Sequence, residues 1–205
     1  MFCKKCGTQL NDNDKFCYQC GEKIIISTIQ NNESIQNGDK IENVKNNNEN
    51  SNANDLIEEG KSLQKNGQYT EAIKSFKKAV ELNPNDADSW YWLGDSYFYN
   101  IQYTEAINSF KKAIELNSNH DLEAGVWWRL GLSYFYNNQY DESIKSLKKS
   151  IELNPNYTDS WSLLGLVYYN VGNQYKEAKE CFLKAVELDP NDIEIRNMLD
   201  ELNNI

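Results

Sequence analysis

The sequence SWYWLGDSYFYN at residues 89–100 places six aromatic rings within twelve residues of an acidic chain. Trp90, Gly94 and Tyr97 are separated by three or four residues, so on a helix these residues share one face. The same face returns in two later segments, at Trp127, Leu130, Gly131 and Tyr134 and at Trp161, Leu164, Gly165 and Tyr168. The quoted stretch is therefore one copy of an internal repeat.

The repeat has a period of 34 residues, which separates Gly60 from Gly94 and again Gly131 from Gly165. The step from Gly94 to Gly131 is 37 residues long because residues 121–123 are an insertion. Self-similarity at such a period is typical of stacked repeat proteins. The predicted units are residues 53–86, 87–120, 124–157 and 158–192.

Each unit also contains a second apolar stripe, which in the first unit is TEAIKSFKKAVEL at residues 70–82. Thr70 and Thr104 are the predicted N-caps of these second helices. Prolines mark where second helices end, at Pro84, Pro155 and Pro190. Each unit is thus predicted to be a helical hairpin. A lone hairpin cannot bury its stripe, so the units must stack, and residues 193–203 are predicted to cap the last one.

The signature W-x2-L-G-x2-Y, followed by A-x3-F and a terminal proline, resembles the tetratricopeptide repeat (TPR) family over residues 53–205. The resemblance implies an all-α solenoid of four helical hairpins closed by the capping helix. The third unit departs from the signature, with Ser143, Leu147 and Ser150 in place of Ala, Phe and Ala. These serines predict looser packing in that unit.

The resemblance also implies a binding surface, because in TPR proteins the first helices line a concave groove. The groove positions carried onto this chain are Asp88, Tyr91, Trp92, Asp95, Phe98, Tyr99, Trp128, Arg129, Leu132, Phe135, Tyr136, Leu166 and Tyr169. Such a groove is expected to bind a peptide or helix of a partner protein through hydrophobic anchors. In the alternative interpretation, some of these side chains only pack neighbouring first helices together.

Two further features of the sequence restrict the class of partner that the groove is expected to bind. One TPR subclass binds the C-terminal carboxylate of chaperones through lysine, asparagine and arginine side chains. The corresponding positions here hold Ile57, Lys61, Trp92, Gly125 and Arg129. Since only the arginine agrees, the sequence disfavours a chaperone tail. The predicted groove edge is acidic, at Asp88, Asp95 and Asp159, which favours a segment that carries a basic residue.

Near the N-terminus, Cys3, Cys6, Cys17 and Cys20 have the spacing C-x2-C-x10-C-x2-C, and a glycine follows each pair. Two residues between thiols let both sulfurs reach one tetrahedral ion. The pattern resembles a short zinc-ribbon, here residues 1–26, with one Zn²⁺. That ion is predicted to be structural, since four thiolates leave no open position for a substrate. The alternative, a redox CxxC, lacks a βαβ context.

Residues 27–52 contain nine asparagines and no aromatic residue, which predicts a disordered linker between ribbon and repeats. The formal charge of −10 disfavours nucleic acid and anionic membranes as partners. The alternative function is a nucleic-acid-associated factor that contacts RNA or DNA through the ribbon. Its lysines, Lys4, Lys5, Lys15 and Lys23, are nearly cancelled by Asp12, Asp14 and Glu22.

No catalytic fingerprint occurs in the chain, which predicts a non-enzymatic scaffold or adaptor. The lone histidine, His120, is expected to be a loop residue, and Cys181 an ordinary buried or half-buried thiol. The longest apolar run, LLGLVYY, is far too short to span a bilayer. Cys3 and Cys6 leave no room for a signal peptide, so a cytoplasmic location is expected.

Overall fold

A computed structural model describes residues 39–116, 123–171 and 174–203 of the chain. This described part is all α-helical, as the sequence predicts, and contains no β-strand. Its helices are α1 (Asp39–Lys65), α2 (Tyr69–Leu82), α3 (Ala87–Tyr99), α4 (Tyr103–Leu116), α5 (Glu123–Tyr136), α6 (Tyr140–Leu153), α7 (Thr158–Val171), α8 (Tyr175–Leu188) and α9 (Ile193–Asn203). Within these ranges no helix combines the length and the apolar character needed to cross a membrane.

Successive helices pack against one another along the chain. Helix α3 packs on α4, α5 on α6 and α7 on α8, and each of these pairs is a helical hairpin. The second helix of one hairpin packs on the first helix of the next, and α9 packs on α8 as the capping helix. The first helices α3, α5 and α7 also contact one another in order. Helix α1 also pairs with α2, since a Cβ atom on Gly60 would lie 2.6 Å from the ring of Phe76. The four-hairpin solenoid with its cap is therefore confirmed, and α3, α5 and α7 form one continuous surface.

The centre of each hairpin is a close approach between a glycine of the first helix and a large side chain of the second. A Cβ atom on Gly165 would lie 2.5 Å from the ring of Phe182, and one on Gly131 would lie 2.7 Å from Cγ of Leu147. Both distances are shorter than van der Waals contact, so only glycine allows this approach. The large partners are fully buried, at Phe76, Phe110, Leu147 and Phe182.

The third hairpin is not loosely packed, so that prediction is wrong. Ser143, Leu147 and Ser150 are all 0% exposed. The Ser143 hydroxyl donates to the Gly131 carbonyl at 2.7 Å, and the Ser150 hydroxyl donates to the Ala124 carbonyl at 2.6 Å. A hydroxyl takes little more room than the methyl group of alanine, and here each one bonds a carbonyl of the facing helix. The two serine hydroxyls therefore link α6 to α5 through hydrogen bonds.

The second helices begin earlier than the predicted threonine caps. Helix α2 begins at Tyr69, with Gln68 as an N-cap residue whose side chain makes no capping hydrogen bond. Helix α4 begins at Tyr103. Thr70 and Thr104 thus lie inside the first turns, and their prediction as N-caps is wrong. The packing of the hairpin holds these helix starts in place without a side-chain cap.

Two of the signature tryptophans, Trp90 and Trp161, stabilise the turns that precede their own helices. Nε1 of Trp90 donates to the Pro84 carbonyl at 2.9 Å, and Nε1 of Trp161 donates to the Pro155 carbonyl at 2.8 Å. Each of these prolines follows the end of a second helix, as predicted. The tryptophan and the proline of the signature therefore act together, since one supplies the donor and the other the acceptor.

The two ends of the solenoid differ from the sequence expectation in detail. Helix α1 begins at Asp39, inside the segment whose composition predicts a disordered linker. A helix satisfies its own backbone hydrogen bonds, so a polar composition does not prevent a segment next to a packed helix from being helical. At the other end, α9 packs through Ile195 and Leu202, which are 5% and 8% exposed. Ile193 begins α9 and is exposed.

Three turns between the helices of a hairpin contain a residue with positive φ: Gly67 (74°), Ile101 (62°) and Asn138 (59°). Glycine and asparagine tolerate this left-handed region, whereas a β-branched side chain such as isoleucine is strained there. The Ile101 side chain is 73% exposed, so burial does not compensate for the strain.

Replacing Ile101 with asparagine should therefore raise the free energy of unfolding by about 1 kcal/mol. Urea denaturation followed by circular dichroism measures the change. Ile193→Asn is the matched control, because Ile193 is also exposed, at 68%, but has no positive φ. The control should change stability by less than about 0.5 kcal/mol. A destabilised Ile101→Asn variant would contradict the assigned strain.

Candidate functional site

The predicted groove residues lie on α3, α5 and α7, and the structure divides them by exposure. Asp88, Tyr99 and Tyr136 are exposed, whereas Asp95 is buried. The others are half-buried: Tyr91, Trp92, Phe98, Trp128, Arg129, Leu132, Phe135, Leu166 and Tyr169. Most of the predicted groove residues are thus partly engaged in packing and keep only their outer atoms exposed.

A cavity of about 430 Å³ opens between α1, α3 and α5. This volume is in the range of roughly 300–1,000 Å³ that is usual for ligand pockets. Three of the predicted groove residues, Asp88, Tyr91 and Trp92, line it. Its remaining walls are formed by Lys61, Ala87, Ala113, Gly125 and Val126.

Gly125 borders the cavity on the α5 side. It occupies the position on α5 that Asp88 occupies on α3, as the alignment of the repeats shows. A Cβ atom built on Gly125 would meet nothing within 4 Å. This glycine is therefore unlike Gly131 of the same helix, which is needed for close packing. Its missing side chain leaves space at the surface instead.

Beside the cavity, Asp95 and Arg129 form an ion pair within the chain. The Asp95 side chain is 5% exposed and the Arg129 side chain 18%, and Arg129 Nε lies 3.1 Å from Asp95 Oδ1. Gln64 of α1 donates to the other carboxylate oxygen of Asp95. The predicted place of Asp95 at the groove edge is therefore wrong, because this side chain links three repeats below the surface.

The pKa of Asp95 is raised above its usual value. Burial is the largest cause, since it disfavours the charged carboxylate, while the guanidinium of Arg129 and the hydrogen bond from Gln64 act in the opposite direction. The guanidinium is also held between two rings, with its carbon 4.9 Å from the ring centroid of Trp128 and 5.5 Å from that of Tyr99. Arg129 is thus committed to contacts within the chain.

A row of stacked aromatic rings follows the turns of the hairpins. Tyr69 stacks on Tyr99 with centroids 5.3 Å apart, and Tyr103 stacks on Tyr136 at 5.4 Å. Phe98 joins the two pairs, since its ring meets that of Tyr136 edge-on at 5.6 Å. The outer members, Tyr99 and Tyr136, are 44% and 51% exposed. The groove therefore continues into an aromatic edge at the turns.

Family models match both parts of the chain. The TPR repeat model matches residues 60–100 and 131–172, and the tetratricopeptide repeat models match residues 87–120 and 158–192. Together these matches cover more than half of the 205 residues. The chain belongs to the tetratricopeptide repeat family. The model of a zinc-ribbon domain matches residues 2–24, and its four cysteines lie outside the described residues, as does His120.

Solved structures resemble this TPR chain along most of its length. MamA is 27% identical, with a TM-score of 0.65 over 71% of this chain and 82% of MamA. YrrB, described as "a TPR protein with an unusual peptide-binding site", is 24% identical, with a TM-score of 0.61 over 76% of this chain and 77% of YrrB. The first TPR of Spaghetti (RPAP3), bound to the HSP90 peptide SRMEEVD, is 23% identical, with a TM-score of 0.54 over 58% and 90%. The comparison with the curated proteins finds no match.

Two recurring contacts of the TPR units are not evident from the signature. The tyrosine that begins each second helix contacts an aromatic ring of the preceding first helix or of the next one: Tyr69 and Tyr103 stack, whereas Tyr140 and Tyr175 meet their partners at an angle. The repeated QY dipeptide of each unit is the signal that could have revealed these contacts. A lysine of α2, α4 or α6 also lies over the signature tyrosine of the following unit. These contacts are Lys77 over Tyr97 at 5.6 Å, Lys111 over Tyr134 at 5.5 Å and Lys148 over Tyr168 at 5.9 Å.

Cys181 is the thiol that the described helices contain, and it is 5% exposed. Burial is the main cause that raises the pKa of Cys181 to about 11. A thiol that stays protonated at neutral pH is a poor nucleophile. The expectation of an ordinary buried cysteine therefore agrees with its environment.

Proposed function

We propose that this TPR solenoid is a non-enzymatic interaction scaffold whose first-helix surface binds a peptide or a helix of a partner protein. The observation that carries the proposal is the open cavity between α1, α3 and α5, lined by Tyr91, Trp92 and Val126. Aromatic side chains at the centre of a recess are typical anchoring points in protein interfaces. The exposed rings of Tyr99 and Tyr136 extend the same surface towards the turns.

The proposed absence of catalysis is supported by how the ionisable groups of the described helices are used. Asp95 and Arg129 neutralise each other, and the pKa of Cys181 lies above the physiological range. YrrB and the Spaghetti domain, described with a peptide-binding site and a bound peptide, are 24% and 23% identical to this chain. At this level of identity the likeness supports the fold alone. The proposal that this chain binds a peptide therefore rests on its own cavity.

Filling the cavity provides the test, because Gly125 can be enlarged without disturbing the fold. Gly125→Leu adds a side chain into open space and replaces a glycine inside α5, so stability should rise by up to about 1 kcal/mol. A displayed library of random short peptides is selected on the full chain, and the affinity of the strongest peptide is measured by fluorescence anisotropy. We expect Gly125→Leu to weaken that peptide at least about tenfold.

Asn108→Leu is the matched control, since it adds the same side chain at an exposed position of the second helix α4. This variant should bind the selected peptide as the wild type does. Selection of no peptide, or equal binding by the Gly125→Leu variant, would contradict the proposed groove.

We also propose that the surface does not bind chaperone tails. Arg129, the one side chain that matches the carboxylate-binding subclass, already has Asp95 at 3.1 Å. Trp92 stands where that subclass has an asparagine, and it lies under the ammonium group of Lys61. The peptide SRMEEVD should therefore show no saturable binding in the same anisotropy measurement. Micromolar binding of this peptide would overturn the exclusion.

For the N-terminal part we propose a zinc-ribbon at residues 1–26 that acts as a second recruitment module, joined through residues 27–52 to the repeat domain at residues 53–205. The family match and the four thiols of Cys3, Cys6, Cys17 and Cys20 support it, since a four-thiolate set is a usual structural zinc site.

Elemental analysis of the purified full chain should find one zinc ion per chain, and Cys17→Ser should lose most of it. Cys181→Ser is the matched control and should retain the zinc, because that thiol lies in α8. Bound iron in place of zinc, or zinc retained by Cys17→Ser, would contradict the proposed site.

A further inference from the structure

The cations around the cavity already have acidic partners. Lys61 Nζ lies 2.9 Å from Glu58 Oε1, and its ammonium group sits 5.3 Å from the ring centroid of Trp92. Arg129, which lies beside the cavity, is paired with the buried carboxylate of Asp95. The positive charge of this surface is thus neutralised by side chains of the chain itself.

Two acidic residues of the first helices, in contrast, have no basic partner among the described side chains. Asp88 forms part of the cavity wall, and Asp159 holds the equivalent position on α7. Both are exposed, and neither carboxylate has an ion pair or a hydrogen bond in the part of the chain that the structure describes. Gly125, at the same position on α5 between them, contributes no charge. Asp88 therefore places an unpaired negative charge at the cavity, and Asp159 places a second one on α7, outside the cavity wall.

Below the Asp88 carboxylate the cavity has an apolar wall, formed by Ala87, Ala113 and Val126 with the ring of Tyr91. Lysine and arginine side chains match such a site, because each has a long aliphatic stem and a charged head. A basic head near an aromatic ring gains a further electrostatic attraction. The formal charge of −10 on the whole chain also attracts a basic segment.

We propose that the cavity receives a basic side chain of the bound segment, with the stem on the apolar wall and the charged head at Asp88. The inference rests on the proposed function and names the chemistry of its partner, a peptide that carries a lysine or arginine beside its hydrophobic anchors. Asp159, at the equivalent position on α7, would attract a second basic residue of the same peptide.

The displayed library of random short peptides provides the test on the full chain. Peptides selected by the wild type should be enriched in lysine and arginine at a fixed spacing from a hydrophobic residue. Asp88→Asn keeps the shape of the side chain and removes its charge. The strongest selected peptide should bind this variant about tenfold more weakly, and the difference should shrink at high salt.

Asp141→Asn is the matched control, because Asp141 is an exposed aspartate in the first turn of α6, as Asp88 is in the first turn of α3. Both variants should fold alike by circular dichroism, and only Asp88→Asn should lose affinity. Selected peptides without basic residues, or equal affinities of the two variants, would overturn this inference and leave the groove intact. Selection of no peptide would overturn the groove itself.

Discussion

Replacing Arg129 with alanine should lower the free energy of unfolding by about 3 kcal/mol. The substitution leaves the Asp95 carboxylate buried, with the hydrogen bond from Gln64 as its remaining side-chain partner. A buried charge without its counter-ion costs far more than a lost surface ion pair. The loss also removes the guanidinium from between the rings of Tyr99 and Trp128. Urea denaturation followed by circular dichroism measures the effect.

The comparison variants separate the unpaired charge from the lost contacts. Lys149→Ala breaks an exposed pair in which Lys149 Nζ lies 3.1 Å from Glu152 Oε1, and it should cost less than about 0.5 kcal/mol. The double variant Asp95→Leu with Arg129→Met replaces the buried pair by apolar side chains and should recover most of the stability. If the double variant is less stable than Arg129→Ala, the unpaired Asp95 carboxylate is not the cause of the destabilisation by Arg129→Ala.

The destabilisation by Arg129→Ala should also depend on pH. Burial raises the pKa of Asp95 in the folded chain, and Arg129 opposes that rise. A group whose pKa is raised on folding contributes stability below its unfolded pKa, and this contribution is lost as the pH rises through the folded pKa. Without Arg129 the pKa of Asp95 rises further. The variant should therefore lose less stability at about pH 5 than at about pH 8.

Replacing Phe110 with alanine should lower the free energy of unfolding by about 3–5 kcal/mol. The Phe110 side chain is 0% exposed and packs on Gly94, whose Cβ position would lie 3.0 Å from its ring. It also supports the groove from below, since its centroid lies 5.8 Å from that of Tyr91. The hairpin of α3 and α4 is internal to the solenoid, so its loss would uncouple the repeats on both sides.

Phe110→Leu is the matched control because the third hairpin has Leu147 at the same place, against Gly131. This milder change should cost only about 1–1.5 kcal/mol. Chemical denaturation should also show a broader transition for Phe110→Ala, since the two halves of the solenoid then unfold less cooperatively. Equal losses for the two variants would show that the site does not depend on the volume of the side chain.

The periodic pattern predicted the helices because the same burial requirement acts in every unit. Trp90, Gly94 and Tyr97 share one helical face wherever the chain folds into a hairpin, and Phe110 must meet the glycine that faces it. The helix ends were less predictable, since Gln68 precedes a helix that tertiary packing starts without a side-chain cap. The strained turn at Ile101 was not predictable either, because backbone φ is not encoded by hydrophobic period.

By itself, the sequence determined that the chain repeats a helical hairpin, where the hairpins lie and which residues face away from the shared helical face. The tertiary structure alone decided which of those residues are exposed and which are buried or paired. Asp88 and Asp95 lie on the same helix, yet one is exposed at a cavity and the other is buried against Arg129 of the next repeat. The physical reason is that helical phase is a local property, whereas exposure and charge pairing depend on the neighbouring repeats, which the period does not specify.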